Sequence, residues 1–98
     1  MSEQAFPTTI DLRKYIDRSK LGARPHIRGR RLPVSYLAAD YHHNGWSVTR
    51  LAYEYTLSEA EVFAALLYYE EHKAEIDTQD AEEARLFDEM SSSQHDRD

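Results

Sequence analysis

From Pro33 onward the apolar residues of this chain fall at helical intervals, in three separate blocks. Val34, Leu37, Ala38 and Tyr41 stand at i, i+3, i+4 and i+7 behind Pro33, whose missing N–H is harmless at the first position of a helix. Gly45 supplies a stop. Ser47 suits the cap of a short second helix in which Val48, Leu51, Ala52 and Tyr55 repeat the spacing. Ser58-Glu59-Ala60-Glu61 then spells a capping box, with Leu57 and Val62 placed as a hydrophobic staple, and opens a third helix. Its stripe is Val62, Leu66 and Tyr69 with Phe63 and Leu67 beside it, and it is expected to run to about Glu75.

The flanks follow no such period. Residues 1–9 are polar and read as a flexible arm. Between Ile10 and Leu32 the apolar Ile10, Leu12, Tyr15, Ile16 and Ile27 are scattered among charges, with Gly22, Pro25 and Gly29 between them, which predicts short extended pieces. Thr78 to Met90 lacks proline and glycine and holds Ala81, Ala84, Leu86, Phe87 and Met90 in an acidic background, as a fourth helix or an extension of the third. Ser91 to Asp98 reads as disordered. The expected fold class is therefore mostly α. A tri-helical, winged or homeodomain-like helix-turn-helix domain spans 10–77 with a short N-terminal extended or β segment, and an acidic tail follows over 78–98.

A chain of 98 residues with 41% hydrophobic content supports one modest core. No apolar run approaches the roughly 20 residues of a membrane span, and Met1 to Thr9 lacks the basic-then-apolar order of a signal peptide. A cytoplasmic location without membrane association is expected, and the absence of cysteine agrees with a reducing compartment. Charge changes the picture more. Residues 1–49 carry eight basic side chains against four acidic ones, whereas residues 50–98 carry four against fourteen. Such a chain is suited to hold a polyanion at its front and a basic protein at its back.

Catalytic and metal chemistry find little support. Adjacent His42 and His43, beside Asp40 and Tyr41, point about 100° apart on a helix, and no second ligand pair has metal spacing. Carboxylate pairs such as Glu70-Glu71 and Glu82-Glu83 read as solvated helix faces, and no Gly-x-Ser-x-Gly is present. No catalytic residue, metal or cofactor is assigned, and the chain is not expected to be an enzyme. The basic cluster is the clearest signal. Arg24, Arg28, Arg30 and Arg31 surround Pro25 and Gly29, so several guanidinium groups are expected to project from a turn, and arginine forks match phosphate oxygens. Seven tyrosines exceed what one small core hides. A homodimer is therefore expected, through Ile16 and Ile27 of the extended segment and the helices around Tyr36 and Tyr53.

The string Gly22-Ala23-Arg24-Pro25-His26-Ile27-Arg28-Gly29-Arg30-Arg31-Leu32-Pro33-Val34 resembles the Gly-Gly-x-Pro-x-Ile-x-Gly-Thr-Arg-Ile-x-Val signature of the VapB-type antitoxins grouped as domain-of-unknown-function family 433. Gly45-Trp46-Ser47-Val48, Tyr55-Thr56-Leu57-Ser58, Glu61-Val62 and Ala65-Leu66 follow in that family's order, so the resemblance runs from about Asp17 to Asp77. Ala23 stands where the family prefers its second glycine, and Arg30 replaces a threonine. The resemblance implies a dimeric helix-turn-helix antitoxin of a bacterial type II toxin–antitoxin module, a DNA-binding transcription regulator paired with a PIN-like ribonuclease toxin. The expected recognition helix, however, carries Glu59, Glu61, Glu70, Glu71 and Glu75 against Lys73 alone. Operator DNA is therefore expected on the basic front together with Thr49 and Arg50. In the tail, Leu86, Phe87 and Met90 are the expected apolar anchors for the toxin, and Arg85 is placed to reach its carboxylates. The alternative is a stand-alone helix-turn-helix regulator without a toxin.

Overall fold

The computed structural model describes residues 11–19 and 24–96; the expected arm over 1–9 lies outside them. After a single 3-10 turn at Leu12–Lys14 come two short strands, β1 (Ile16–Asp17) and β2 (His26–Ile27), then α1 (Val34–His42), α2 (Val48–Tyr55), α3 (Glu59–Glu71) and α4 (Lys73–Asp96). The chain is thus mostly helical, with a two-stranded antiparallel sheet near its N-terminus.

The strands pair Ile16 with Ile27 and Asp17 with His26, and Pro33 adds one more bridge to His26. Chain reversal after β2 depends on Gly29. The Arg30 N–H donates to the Ile27 carbonyl at 2.9 Å, and Gly29 at the third turn position has φ +83°, a value a type II turn requires and a side chain resists. That turn brings Leu32 and Pro33 back beside β2 and aims Val34 into the core.

Local chemistry fixes the helix starts. Pro33 is the N-cap of α1, one residue before the first-turn position expected for it, because its ψ of 144° is still extended. The Ser47 hydroxyl accepts from Arg50 N–H, and Ser58 and Glu61 complete the reciprocal capping box. Between α2 and α3, Thr56 adopts the left-handed conformation (φ 56°, ψ 56°), closing α2 and allowing α3 to start three residues later.

The core gathers Ile16, Ile27, Val34, Leu37, Leu51, Val62, Ala65, Tyr68 and Ile76, so every element from β1 to α4 contributes. Each fully buried aliphatic side chain contributes about 1.5–3 kcal/mol through burial. Three expectations change. First, Ile16 and Ile27 are core residues, because β1 and β2 lie directly on α3; they are not available to a second copy as the chain is folded. Second, the buried line on α3 is Val62, Ala65 and Tyr68, one residue out of phase with the expected Leu66 and Tyr69, which are only half-buried, while Phe63 and Leu67 face outward. Third, α3 stops at Glu71, where His72 leaves helical geometry, and α4 runs unbroken from Lys73 through the expected boundary at residue 78 and through the stretch expected to be disordered as far as Asp96. Among the described residues no helix is long and apolar enough to cross a membrane.

Candidate functional site

The arginines expected to form one phosphate-binding surface are each tied to a different part of the fold. Arg24 is only 20% exposed; its guanidinium meets Asp80 at 2.7 Å and Glu83 at 2.8 Å on α4, and donates to the Ser35 hydroxyl of α1 at 3.2 Å. Arg28 donates to the carbonyls of Arg13 (2.9 Å) and Ile16 (3.1 Å) and lies 3.7 Å from Asp17. Arg30 spans the end of α2, donating to the carbonyls of Tyr55 at 2.8 Å and Thr56 at 3.0 Å, where a cation complements the helix dipole. Three of the four thus act as internal clamps, because unpaired carbonyls and carboxylates lie within reach of the turn. Arg31 is exposed and makes no ion pair among the described residues.

Thr49 and Arg50 lie on α2. The Thr49 hydroxyl donates to Glu59 at 3.2 Å, which ties down one α3 carboxylate. Arg50 rests over the Trp46 ring, 4.1 Å from its centroid, with Glu54 3.7 Å away. Of the five arginines expected to meet DNA, the guanidinium groups of Arg31 and Arg50 donate no hydrogen bond to the protein among the described residues.

Beneath this surface lies an unusual polar residue, His26, buried between the strands. Its Nδ1 donates to the Arg24 carbonyl at 2.8 Å, and its Nε2 sits 3.8 Å from Asp17. The Ser19 N–H, 2.9 Å from the Asp17 carboxylate, holds that carboxyl below its ordinary pKa, with help from the Arg28 charge. Burial pushes the Tyr55 phenol up to about 12, assisted by its bond to Asp40 at 2.5 Å. Tyr69 rises to about 12 for the same reason, with Asp77 as its acceptor at 2.9 Å. Among the described residues no group of histidines and carboxylates is arranged to hold a metal ion.

The second surface is α4. Beyond Asp80 every side chain to Met90 is exposed, including Leu86, Phe87 (69%) and Met90 (65%). Arg85 is held in a ladder between Glu82 and Glu89, which lowers the Glu82 pKa, while its side chain stays exposed. Between α4 and α1 lies an open groove of about 620 Å³ lined by Ala39, Ala84, Tyr36, Phe87 and the Arg24 ion pairs. Tyr36 on α1 and Tyr53 on α2 are both exposed, whereas Ile16 and Ile27, on β1 and β2, are buried.

A third surface was missed by the periodicity argument. Phe63 (58% exposed), Leu67 and Tyr41 (41%) open to solvent beside Val48 and Leu66. The available signal was that α3 carries apolar residues over nearly its whole circumference, more than one buried face uses. Residues 15–69, more than half of the chain, match the family described as Protein of unknown function (DUF433). No curated protein and no solved structure matches.

Proposed function

This chain belongs to the DUF433 family, and we propose that it is the antitoxin of a type II toxin–antitoxin module, neutralising a PIN-like ribonuclease through α4 and binding operator DNA as a dimer. One observation carries the reading. On α4, Leu86, Phe87 and Met90 face solvent in a setting of Asp80, Glu82, Glu83, Asp88 and Glu89, with Arg85 the single cation of that stretch. A helical stretch whose apolar knobs cover no core fits a hydrophobic groove. The charge selects a basic groove, and a ribonuclease cleft is basic because it must attract a polyanion. The acidic helix thus resembles the substrate electrostatically while its knobs supply the affinity.

For DNA, α1 to α3 are read as a homeodomain-like unit, supported by the three-residue turn Thr56-Leu57-Ser58 between α2 and α3. Arg31 and Arg50 are read as its phosphate contacts, since Arg24, Arg28 and Arg30 are hydrogen-bonded within the chain. No catalytic residue or cofactor enters this reading, and the cytoplasm is the compartment it assigns.

The test is co-expression with the product of the adjacent reading frame and an RNA-degradation assay on the purified pair. The full chain is expected to suppress cleavage, and a chain ending at Asp77 to lose that suppression. A full chain that leaves cleavage untouched overturns the antitoxin reading. If it nevertheless retards its own promoter at low salt, the stand-alone regulator stands in its place.

A further inference from the structure

Along the exposed face of α2, aromatic and cationic side chains alternate. Trp46, just before the helix begins, carries the Arg50 guanidinium 4.1 Å over its ring. Tyr53 follows three residues later, so it neighbours Arg50 on the same face, and at 82% it is the most exposed large apolar side chain among the described residues. At the far end Arg30 ties its turn to the Tyr55 and Thr56 carbonyls, which sets its exposed neighbour Arg31 beside the close of α2. We infer that this face binds single-stranded nucleic acid: unpaired bases stack on Tyr53 and on the Arg50–Trp46 pair, while Arg31 and Arg50 meet the phosphates. The inference rests on the reading of those two arginines as phosphate contacts and goes beyond it by naming the form of the strand.

Three observations select an unpaired strand. The first is the exposure of Tyr53. A ring that its own fold leaves in water is a stacking platform for bases whose faces are open, and a duplex stacks its bases on one another. The Tyr53 hydroxyl makes no hydrogen bond among the described residues, whereas that of Tyr55, two residues on, is given to Asp40.

The second is spacing. Side chains at i and i+3 of a helix lie about 5–6 Å apart between their Cβ atoms. Successive bases of a duplex strand rise by roughly 3.4 Å. Two platforms at the wider interval suit neighbouring bases of a strand drawn out beyond duplex spacing, a stretch that base pairing opposes.

The third is charge. Glu54 lies 3.7 Å from Arg50, and Glu59, at the start of α3, accepts from Thr49 at 3.2 Å. These carboxylates crowd the cations, so a second backbone laid across the face would meet them, whereas one backbone can follow Arg50 and Arg31 alone. The Arg50–Glu54 pair is exposed on both sides and yields readily to a phosphate that the guanidinium fork can grip. Trp46 meanwhile keeps that guanidinium in place.

The test follows an oligothymidylate of about 12 nucleotides binding to the full chain at about 50 mM salt, alone and annealed to its complement. Trp46 is the chain's one tryptophan, so its fluorescence reports on the site. The single strand is expected to quench it and to bind at least about 5-fold more tightly than the duplex. Tyr53→Ala should weaken the single strand by about 5-fold or more, the low end for one stacked base, and leave the duplex unchanged. Tyr53→Phe should keep the parent affinity, because stacking uses the ring and not the hydroxyl. Arg31→Ala with Arg50→Ala should weaken both forms. Oligouridylate of the same length is the RNA arm: tighter binding than oligothymidylate makes RNA the ligand, the reverse makes it DNA, and either supports the assignment. A duplex bound as tightly as the single strand, or a Tyr53→Ala chain equal to the parent on the single strand, overturns the inference and leaves the operator reading standing. A Tyr53→Ala chain whose lost binding is matched by a lost dimer in sedimentation overturns it too. Failure of both forms to bind at this salt removes the phosphate reading itself, and the inference with it.

Discussion

Arg24 and Asp80, 56 residues apart in the chain, form an ion pair of 2.7 Å that fastens the arginine turn to α4. The two oppositely charged halves are thus partners of each other before they meet any other molecule. Glu83 completes the clamp one helical turn on, and Ile76 anchors the same helix in the core. A chain cut after Asp77 loses both carboxylates and leaves a largely buried guanidinium with only Ser35. Allowing for the solvent exposure of Glu83, the loss is about 1–2 kcal/mol, or roughly 5–10 °C in Tm for a domain of this size. Calorimetry on the truncated chain, with Asp80→Asn plus Glu83→Gln in the full chain as the companion, should show both melting earlier. Unchanged melting in both refutes the clamp.

Thr56 offers the opposite case, a site where the native residue is a poor choice. It is the only non-glycine residue with positive φ among the described residues, and its branched Cβ is disfavoured there. Its side chain is exposed, and what the fold uses is its carbonyl, which accepts from Arg30. Thr56→Gly is expected to raise stability by about 0.5–1 kcal/mol, the relief of strain exceeding the added freedom of the unfolded chain. Urea denaturation at constant m-value measures it, and a lowered midpoint would contradict the account.

The same residues show how much was legible beforehand. Ser47, Ser58 and Glu61 are local signals whose hydrogen bonds close within three residues, so the starts of α2 and α3 could be read from the chain alone. The short extended segment was legible for a similar reason, through Pro25 and Gly29. The arginines were not. Whether a guanidinium faces solvent or a carbonyl depends on elements 12 to 56 positions away, as Arg28, Arg30 and Arg24 each show. The α3 stripe was misphased because Ala65, small and uninformative on a hydropathy scale, occupies the position closest to the core while the bulkier Leu66 and Leu67 sit at its edge and outside. Past Asp80 every side chain of α4 to Met90 is exposed, with Glu83 tied back to Arg24, so continuity of helix-forming residues was the signal that spoke for their structure.

For nucleic acid, Arg31 and Arg50 now separate from the three arginines that hydrogen bonds hold within the fold. Arg31→Ala with Arg50→Ala should weaken binding to the chain's own promoter and reduce the log–log salt slope by about 2, the share of two phosphate contacts. Melting should be nearly unchanged. Arg30→Ala, by contrast, should lower stability through the lost bonds to Tyr55 and Thr56. If a gel-shift series finds the double variant equal to the parent at every salt concentration, these two side chains do not meet phosphate.

Alkaline conditions probe the two shielded phenols. Tyr55 and Tyr69 titrate near 12 in the folded chain, against about 10 when unfolded. A proton-binding group whose folded pKa is raised contributes stability that is complete below pH 10 and is lost as pH rises from 10 toward 12. Tyr55→Phe should therefore flatten the fall in stability across that window, and absorbance titration should show one fewer late-ionising phenol. A parent protein whose tyrosines all ionise together near 10 while still folded excludes this account.

The last expectation separates affinity from stability on α4. Leu86, Phe87 and Met90 belong to no core, so replacing all three with serine removes apolar surface that the folded chain leaves in water. Exposed substitutions of this kind change stability by no more than about 0.5 kcal/mol each, with some loss from the lower helix propensity of serine. If the three side chains are the anchors of a toxin contact, the same variant should weaken inhibition of the ribonuclease by at least about 30-fold, the loss expected for truncating aromatic and aliphatic anchors in a desolvated groove. Arg85→Ala should do much less, because its guanidinium is already engaged by Glu82 and Glu89 and such exposed pairs are worth little. Added salt should slow association of the parent with its basic partner and leave the residual binding of the triple variant still salt-sensitive, since the surrounding carboxylates steer encounter while the knobs set the lifetime of the complex. A triple variant that inhibits as well as the parent would show that charge alone carries the contact, and an Arg85 variant that loses inhibition while the triple variant keeps it would reverse the assignment of anchors along the helix.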